Sequence, residues 1–301
     1  MQLGLHFRGY GASMHIDAVS SGAKANHNED WVCSFHTPGT IDLVIIDGGT
    51  SVADVDYIDR LNGDVVWFVT RFAASLGACI ESGLGQHAAV HAAIGATYDE
   101  FRERAAGQEI PEYAWPIAAM TWLRLTTDPA ATRLSMYCLG DCKVLMHTPG
   151  GEVRDLDPWV NPQEAVLSVE VAKLQAEGLQ DSAARHARLL PILRARREFQ
   201  NAANDPEALC LRPNGQFRAR TIEVDVPNGA SVLAMTDGFY RLVDTYGLHT
   251  PESLFALCEQ RGLQPALDEL RQYEAAAPAS ASSSVKRADD ASAILWRAGP
   301  A

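Results

Sequence analysis

The sequence predicts a layered α+β domain, and two observations carry that expectation. Apolar strand-like runs come in blocks, and pairs of helix-period segments stand between the blocks instead of following each strand in turn. Several of the runs are also bounded by carboxylates, in an Asp-Gly pair after the strand or an acidic pair just before it, which places acidic side chains repeatedly at strand ends. At 301 residues and 47% hydrophobic composition, the chain can bury a sizeable core. It has no internal repeat and no linker between independent units, so a single domain over 1–301 is expected.

The first block reads as the short strands "LHFRGY", "HIDAVS", "DWVCSFH" and "IDLVIID", separated by turns rich in Gly, Ser and Asn. Helices are predicted over about 64–79, where Val65, Phe68, Val69, Phe72 and Leu76 share one face, and over about 86–104. Strands return in "PIAAMTWLRL", "TRLSMYCLG" and "KVLMHT", the last closing at the turn "PGGE". Two helices then occupy about 157–200, with Asp181 or Ser182 as cap and Pro191 as a kink. The second carries Arg185, Arg188, Arg194, Arg196 and Arg197, which reads as a solvated basic face or, alternatively, as a docking face for an anionic substrate. The strands "TIEVDV" and "SVLAMT" follow, then helices near 251–259 and 265–273, a low-complexity loop "EAAAPASASSSV", and a closing strand "SAILW".

A net charge of -13 argues against nucleic acid or an anionic membrane as partner, because phosphate backbones demand clustered Lys and Arg. No run approaches the roughly 18 apolar residues that span a bilayer, and the start lacks a charged leader with an apolar core. A cytoplasmic location is therefore expected. The six cysteines lie scattered in core-like segments without a CxxC pair, as reduced thiols do. Cys138 and Cys142 could supply two zinc ligands, but no second pair completes a tetrahedral set.

The chemistry gathers at the acidic strand ends: Asp47 in "LVIIDGGTSV", Asp237 in "SVLAMTDGF", Asp141 in "LGDCKVLM", Glu29 and Asp30 in "NHNEDW", and Asp289 and Asp290 in "RADDASAILW". One Asp-Gly pair is an ordinary turn signal. Several unpaired carboxylates converging in a fold would raise one another's pKa, a cost that a divalent cation removes. An all-oxygen set favours Mg²⁺ or Mn²⁺, and Gly48, lacking a side chain, lets its carbonyl approach a cation or a phosphate. Such a site suits hydrolysis of a phosphate monoester. No GxSxG, CxxxxxR or Walker loop offers another route.

In order along nearly the whole chain, the blocks "NED", "DGG", "PIAAMTWLRL", "LGDCKVLM", "LAMTDGF" and "DDASAIL" resemble the metal-dependent serine/threonine protein phosphatases of type 2C, in their bacterial form. The resemblance implies a four-layer α-β-β-α sandwich with two central antiparallel sheets, and metals at one end of it. It implies that Asp47 bridges two Mn²⁺ or Mg²⁺ ions, Gly48 gives its carbonyl to one, and Asp237 and Asp289 are direct ligands. Glu29 would hold a metal-bound water, Asp30 would stand behind it, Asp141 would serve a third, weaker ion, and Asp290 would support rather than ligate. The implied reaction is hydrolysis of phosphoserine or phosphothreonine in a protein by a metal-bridged water.

The departures are specific. The family's phosphate-gripping arginine, five residues before the Asp of "NED", is here Ala25. Lys24, Arg287 and the basic helix near Arg194 are the candidates to replace it, although a Lys lacks the bidentate fork of an Arg. Gly49 stands where many animal members have a histidine, and His27 is the candidate proton donor to the leaving alkoxide. A helical insertion at about 158–217 is longer than the flap of a minimal bacterial member. Two alternatives stand beside the main reading: a pseudophosphatase that only binds, and a phosphomonoesterase of small molecules.

Overall fold

Runs such as residues 43–46 are apolar at every position because the sheets they belong to are covered on both faces. Leu43 and Ile45 point into one core and Val44 and Ile46 into another, as the two-residue period of a strand requires. The computed structural model describes residues 14–127, 131–179, 181–213, 215–276 and 288–298.

In chain order, β1 (His15–Ser21), β2 (Trp31–Thr37) and β3 (Thr40–Gly48) lead into α1 (Asp64–Glu81) and α2 (Gln86–Ala105). Strands β4 (Ile117–Thr127), β5 (Thr132–Leu139), β6 (Lys143–His147) and β7 (Val153–Asp155) follow, and then α3 (Pro162–Ala176) and α4 (Ser182–Ala202). After β8 (Leu209–Cys210), β9 (Arg220–Val226) and β10 (Ser231–Met235) come α5 (Asp237–Tyr240), α6 (Pro251–Arg261) and α7 (Leu263–Ala276), and β11 (Ala291–Arg297) closes the described fold.

One sheet runs β1-β11-β10-β6-β7 and the other β2-β3-β4-β5-β9, with β8 beside the start of β4. All strand pairs are antiparallel. Three apolar layers hold the stack. Val65, Phe68, Phe72 and Leu76 of α1 and Ala89, Val90 and Ala93 of α2 pack on Val44, Met120 and Trp122. Leu43, Leu123, Met136, Val144, Val232 and Ile294 fill the space between the sheets. Leu254, Phe255, Leu267 and Leu270 of α6 and α7 cover Leu233, Leu145 and Leu295 on the far side. The architecture is thus α+β in four layers, α-β-β-α, as expected from the sequence.

The helices begin where their caps lie. The Asp181 side chain accepts from the Ala184 amide at the start of α4, and Thr250 and Ser253 form a reciprocal capping box on α6. Pro191 does not end α4, which continues through it. The two-residue β8 and three-residue β7 are too short to show a period and were not expected. The predicted strand "LHFRGY" and the part of the low-complexity segment beyond Ala276 lie outside the described residues.

Candidate active site

The C-terminal end of β3 carries Asp47 to one wall of a cavity of about 580 Å³, which Asp141, Asp237 and Asp289 also line. These carboxylates come from the ends of β3 and β5, the start of α5 and the approach to β11, so the two sheets jointly present them. The Asp47 residue keeps some exposure to the cavity, yet burial pushes its carboxyl well above the usual range. The negative charges of Asp237, Asp30, Asp141 and Asp289 push it further the same way.

Asp30 is buried, and that burial raises it as well, with Asp290 and Asp237 adding to the effect and the nearby Ser292 and Thr236 hydroxyls opposing it. Its Oδ2 accepts from Thr236 Oγ1 at 3.1 Å, while Oδ1 is buried and accepts no hydrogen bond among the described residues.

Glycines make the close approaches possible. A Cβ at Gly48 would come within 2.6 Å of both the Glu29 carbonyl oxygen and Val65 Cγ1. At Gly140, with φ +78°, a Cβ would run into Ala119, and at Gly238 into the Asp290 carbonyl. The Gly140–Asp141 turn is fixed from outside by Arg220, whose Nη2 donates to the Gly140 carbonyl at 2.6 Å. The same guanidinium binds the buried Asp157 carboxylate through Nε at 2.8 Å and Nη2 at 2.7 Å, and stacks 4.5 Å from the Trp159 ring.

The insertion contributes to the same cavity lining. Trp159, Leu193 and Phe199 give it apolar surface, and Arg196 and Arg197 give it charge. The reading of the arginine-rich helix as a solvated face is corrected here: Arg185 and Arg197 are buried, and the helix is docked. Arg194, Arg197 and Asn201 stand at i, i+3 and i+7 and so share one face. Arg194 donates to the Val52 carbonyl at 2.8 Å and to Asp54 at 2.6 Å, Arg197 to the carbonyls of Gly49 and Thr50, and Asn201 to those of Glu112 and Trp115. Arg196 donates to Asn161 Oδ1 at 3.1 Å, and the Asn161 amide donates to Asp141 at 2.9 Å, which links the insertion to the acidic wall.

The other expected residues are placed as follows. Glu29 is buried behind Gly48, where it accepts from the Thr50 hydroxyl at 3.0 Å and lies 3.4 Å from His27 Nε2. Asp290 is committed to the backbone, accepting from the Ala23 amide at 2.7 Å and the Glu29 amide at 2.5 Å. Those bonds fix a turn in which Lys24 pairs with His27. Lys24 is exposed on that turn, and neither it nor His27 lines the cavity. Arg287 lies outside the described residues. Burial pushes the Cys138 thiol up to about 12 and raises that of Cys142 as well, which keeps both neutral.

Among the described residues no three His, Cys, Asp or Glu side chains already stand as a set able to hold a metal ion. The chemistry of the donors nevertheless fits a hard divalent cation. Asp47, Asp141, Asp237 and Asp289 offer oxygens only, and the charges of the other three push the Asp47 carboxyl up.

No family model and no curated protein matches the chain. The structure is similar to the catalytic domain of the serine/threonine protein phosphatase PstP in complex with two manganese ions, with TM-score 0.52 and 15% identity over 95% of this chain and 98% of that one. It is similar to the S. agalactiae serine/threonine phosphatase, with TM-score 0.52 and 12% identity over 94% and 98% of the two chains. The PPM Ser-Thr phosphatase MsPP from Mycobacterium smegmatis, in complex with cacodylate, gives 0.51 and 13% over 95% and 98%. The chain therefore has the bacterial-like type 2C, or PPM-type, serine/threonine phosphatase fold.

The sequence reading missed Arg220, Asn161, Thr50 and Thr236. A single polar residue next to a strand or helix gives no signal of what it meets across the fold. Arg197 was in view only as part of a charge run.

Proposed function

We propose that the chain is a Mn²⁺- or Mg²⁺-dependent phosphomonoesterase that hydrolyses phosphoserine or phosphothreonine in a protein. The observation that carries this reading is the largely desolvated Asp47 carboxyl, with Asp237, Asp30, Asp141 and Asp289 near it, on a cavity that Arg196, Arg197 and Arg218 also line. Asp47, Asp237 and Asp289 are the residues to hold two ions, with the Gly48 carbonyl, with Glu29 behind it and with Asp141 for a third. The ions would supply an acidified water and neutralise the phosphoryl oxygens.

The chain's own groups have separate tasks. Thr50, bonded to Glu29, fixes that carboxylate in one orientation, and Asp290 holds the Glu29 backbone. Thr236 and Asp30 tie the start of α5 to the turn before β2. Trp159, Leu193 and Phe199 give the cavity lining an apolar portion. The phosphatases with which this fold is shared make a phosphorylated protein the first substrate to test. The same apolar wall favours a second reading, hydrolysis of a small phosphomonoester with an apolar portion.

The test is hydrolysis of para-nitrophenyl phosphate by metal-stripped protein with and without Mn²⁺, beside Asp47→Ala. Activity that needs the metal and disappears in the variant supports the reading. Absence of activity in the wild type rejects it in favour of a binding module, and a phosphopeptide panel beside small phosphomonoesters separates the two substrate classes.

A further inference from the structure

The geometry points to Arg197 of α4, assisted by Arg196, as the group that grips the substrate phosphate, supplied by the insertion in place of the arginine absent at position 25. This inference rests on the phosphomonoesterase reading and deepens it.

Arg197 is only 8% exposed, yet it is not consumed by an ion pair: no carboxylate forms a salt bridge with it among the described residues. Nη2 makes both of its hydrogen bonds, at 3.2 Å to the Gly49 carbonyl and 3.1 Å to the Thr50 carbonyl. Those bonds fix the guanidinium beside Gly48 and Asp47. Nε and Nη1 donate to no protein atom among the described residues, and neither is sealed from the cavity that Arg197 lines. Two donors on one planar fork are what bidentate binding of a phosphate requires.

The charge arrangement agrees. Burial, and after it the neighbouring Arg196 cation, lower the Arg197 pKa to about 10 against the partly opposing Glu29 carboxylate. An anion between the two guanidinium groups would relieve both the desolvation and the repulsion. Arg196 is steered to the same wall by Asn161, itself held by Asp141. A phosphate in this cavity would meet these guanidinium groups and, in the same lining, Asp47, Asp141, Asp237 and Asp289, the residues that would hold divalent ions. Lys24 has no comparable position, being exposed on its turn.

The experiment compares wild type, Arg197→Lys and Arg197→Ala, each loaded with Mn²⁺ and titrated with inorganic phosphate by calorimetry. Mn²⁺ affinity is measured on the same preparations by electron paramagnetic resonance. Phosphate affinity should fall at least about ten-fold in Arg197→Ala, the loss expected for charge-assisted hydrogen bonds. Arg197→Lys should fall between, and Mn²⁺ affinity should stay within about three-fold of wild type. Added guanidinium ion should restore part of the phosphate binding to Arg197→Ala. If that variant does not fold, Arg197→Gln, which keeps an amide donor for the Gly49 and Thr50 carbonyls, replaces it.

Unchanged phosphate affinity in a folded variant overturns the proposal. So does a variant that loses melting temperature and Mn²⁺ affinity alone, because Arg197 would then be a structural tie for the loop after β3. A wild type that binds no phosphate overturns it too. A wild type that binds phosphate through Arg197 but hydrolyses nothing keeps the proposal and rejects the phosphatase reading. Full Mn²⁺-dependent hydrolysis with unchanged phosphate affinity in Arg197→Ala does the reverse.

Discussion

Arg197 and Gly49 lie 148 positions apart in the chain, and the Arg197 Nη2 donates to the Gly49 carbonyl across 3.2 Å. That contact joins the insertion to the loop that leaves Asp47, and it gives the second glycine of "DGG" a physical reason. A Cβ at Gly49 would sit 3.2 Å from Arg197 Nη2 and 3.1 Å from Ile117 Cγ1. Gly49→Ala should therefore displace the guanidinium and cost about 1–3 kcal/mol of stability, as overpacking does. The measurement is KM for an aryl phosphate together with a urea melt. A stability loss without any rise in KM would show that the guanidinium position does not matter to binding.

Asp47 supplies a pH test. Its carboxyl is raised in the folded protein, so between the ordinary Asp value of about 3.9 and that raised value the native state binds more protons than the unfolded one. Stability of the metal-free protein is favoured at low pH by this group and declines as pH rises through the folded pKa. Asp47→Asn removes the buried charge and should stabilise the metal-free protein by on the order of 1–3 kcal/mol at pH 8, with a smaller gain at pH 5. Thermal melts of both proteins at the two pH values, in chelator, check the sign. An equal gain at both would mean that Asp47 does not titrate in that window.

Mn²⁺ should stabilise the wild type, because a ligand that binds only the folded state contributes about 2.7 kcal/mol at a hundredfold excess over Kd. Asp237→Asn and Asp289→Asn should each shift the concentration of Mn²⁺ needed for half of the thermal shift upward by at least about ten-fold, equivalent to one charged ligand contact. Differential scanning calorimetry over a Mn²⁺ series reads this without any substrate. A midpoint that does not move in either variant would remove that residue from the ligand set.

Arg220 is predicted to act on the site only through position. Replacing it with Met leaves Asp157, which is 2% exposed, without its partner, and frees the Gly140 carbonyl. The expected cost is about 3 kcal/mol in a urea melt, since a buried charge loses its counterion. The Asp141 turn should loosen with it, so that activity at saturating substrate becomes more dependent on high Mn²⁺. Unaltered Mn²⁺ dependence would separate the turn from the metal site.

Most of the sandwich was legible because strands and helices impose periods of two and 3.6 on the side chains they bury. The run "IDLVIID" had to be buried on both faces, and α1 announced its core face through Phe68, Phe72 and Leu76. β7 and β8 escaped because a two- or three-residue strand has no period to read. The order of the sheets, with β11 between β1 and β10, also had no local signature, since strand pairing joins residues far apart in the chain, such as His15 with Arg297 and Ser231 with Arg297.

The sequence by itself determined the layered class, the strand ends on which Asp47, Asp141, Asp237 and Asp289 stand, and the absence of an arginine at position 25. Tertiary structure alone decided that Lys24 stays outside the cavity lining while Arg197 belongs to it. Helical spacing says which arginines share a face, but a guanidinium in a charge run carries no local mark of burial. Its environment was fixed only when α4 packed against the loop after β3 and brought its donors within hydrogen-bond distance of Gly49 and Thr50.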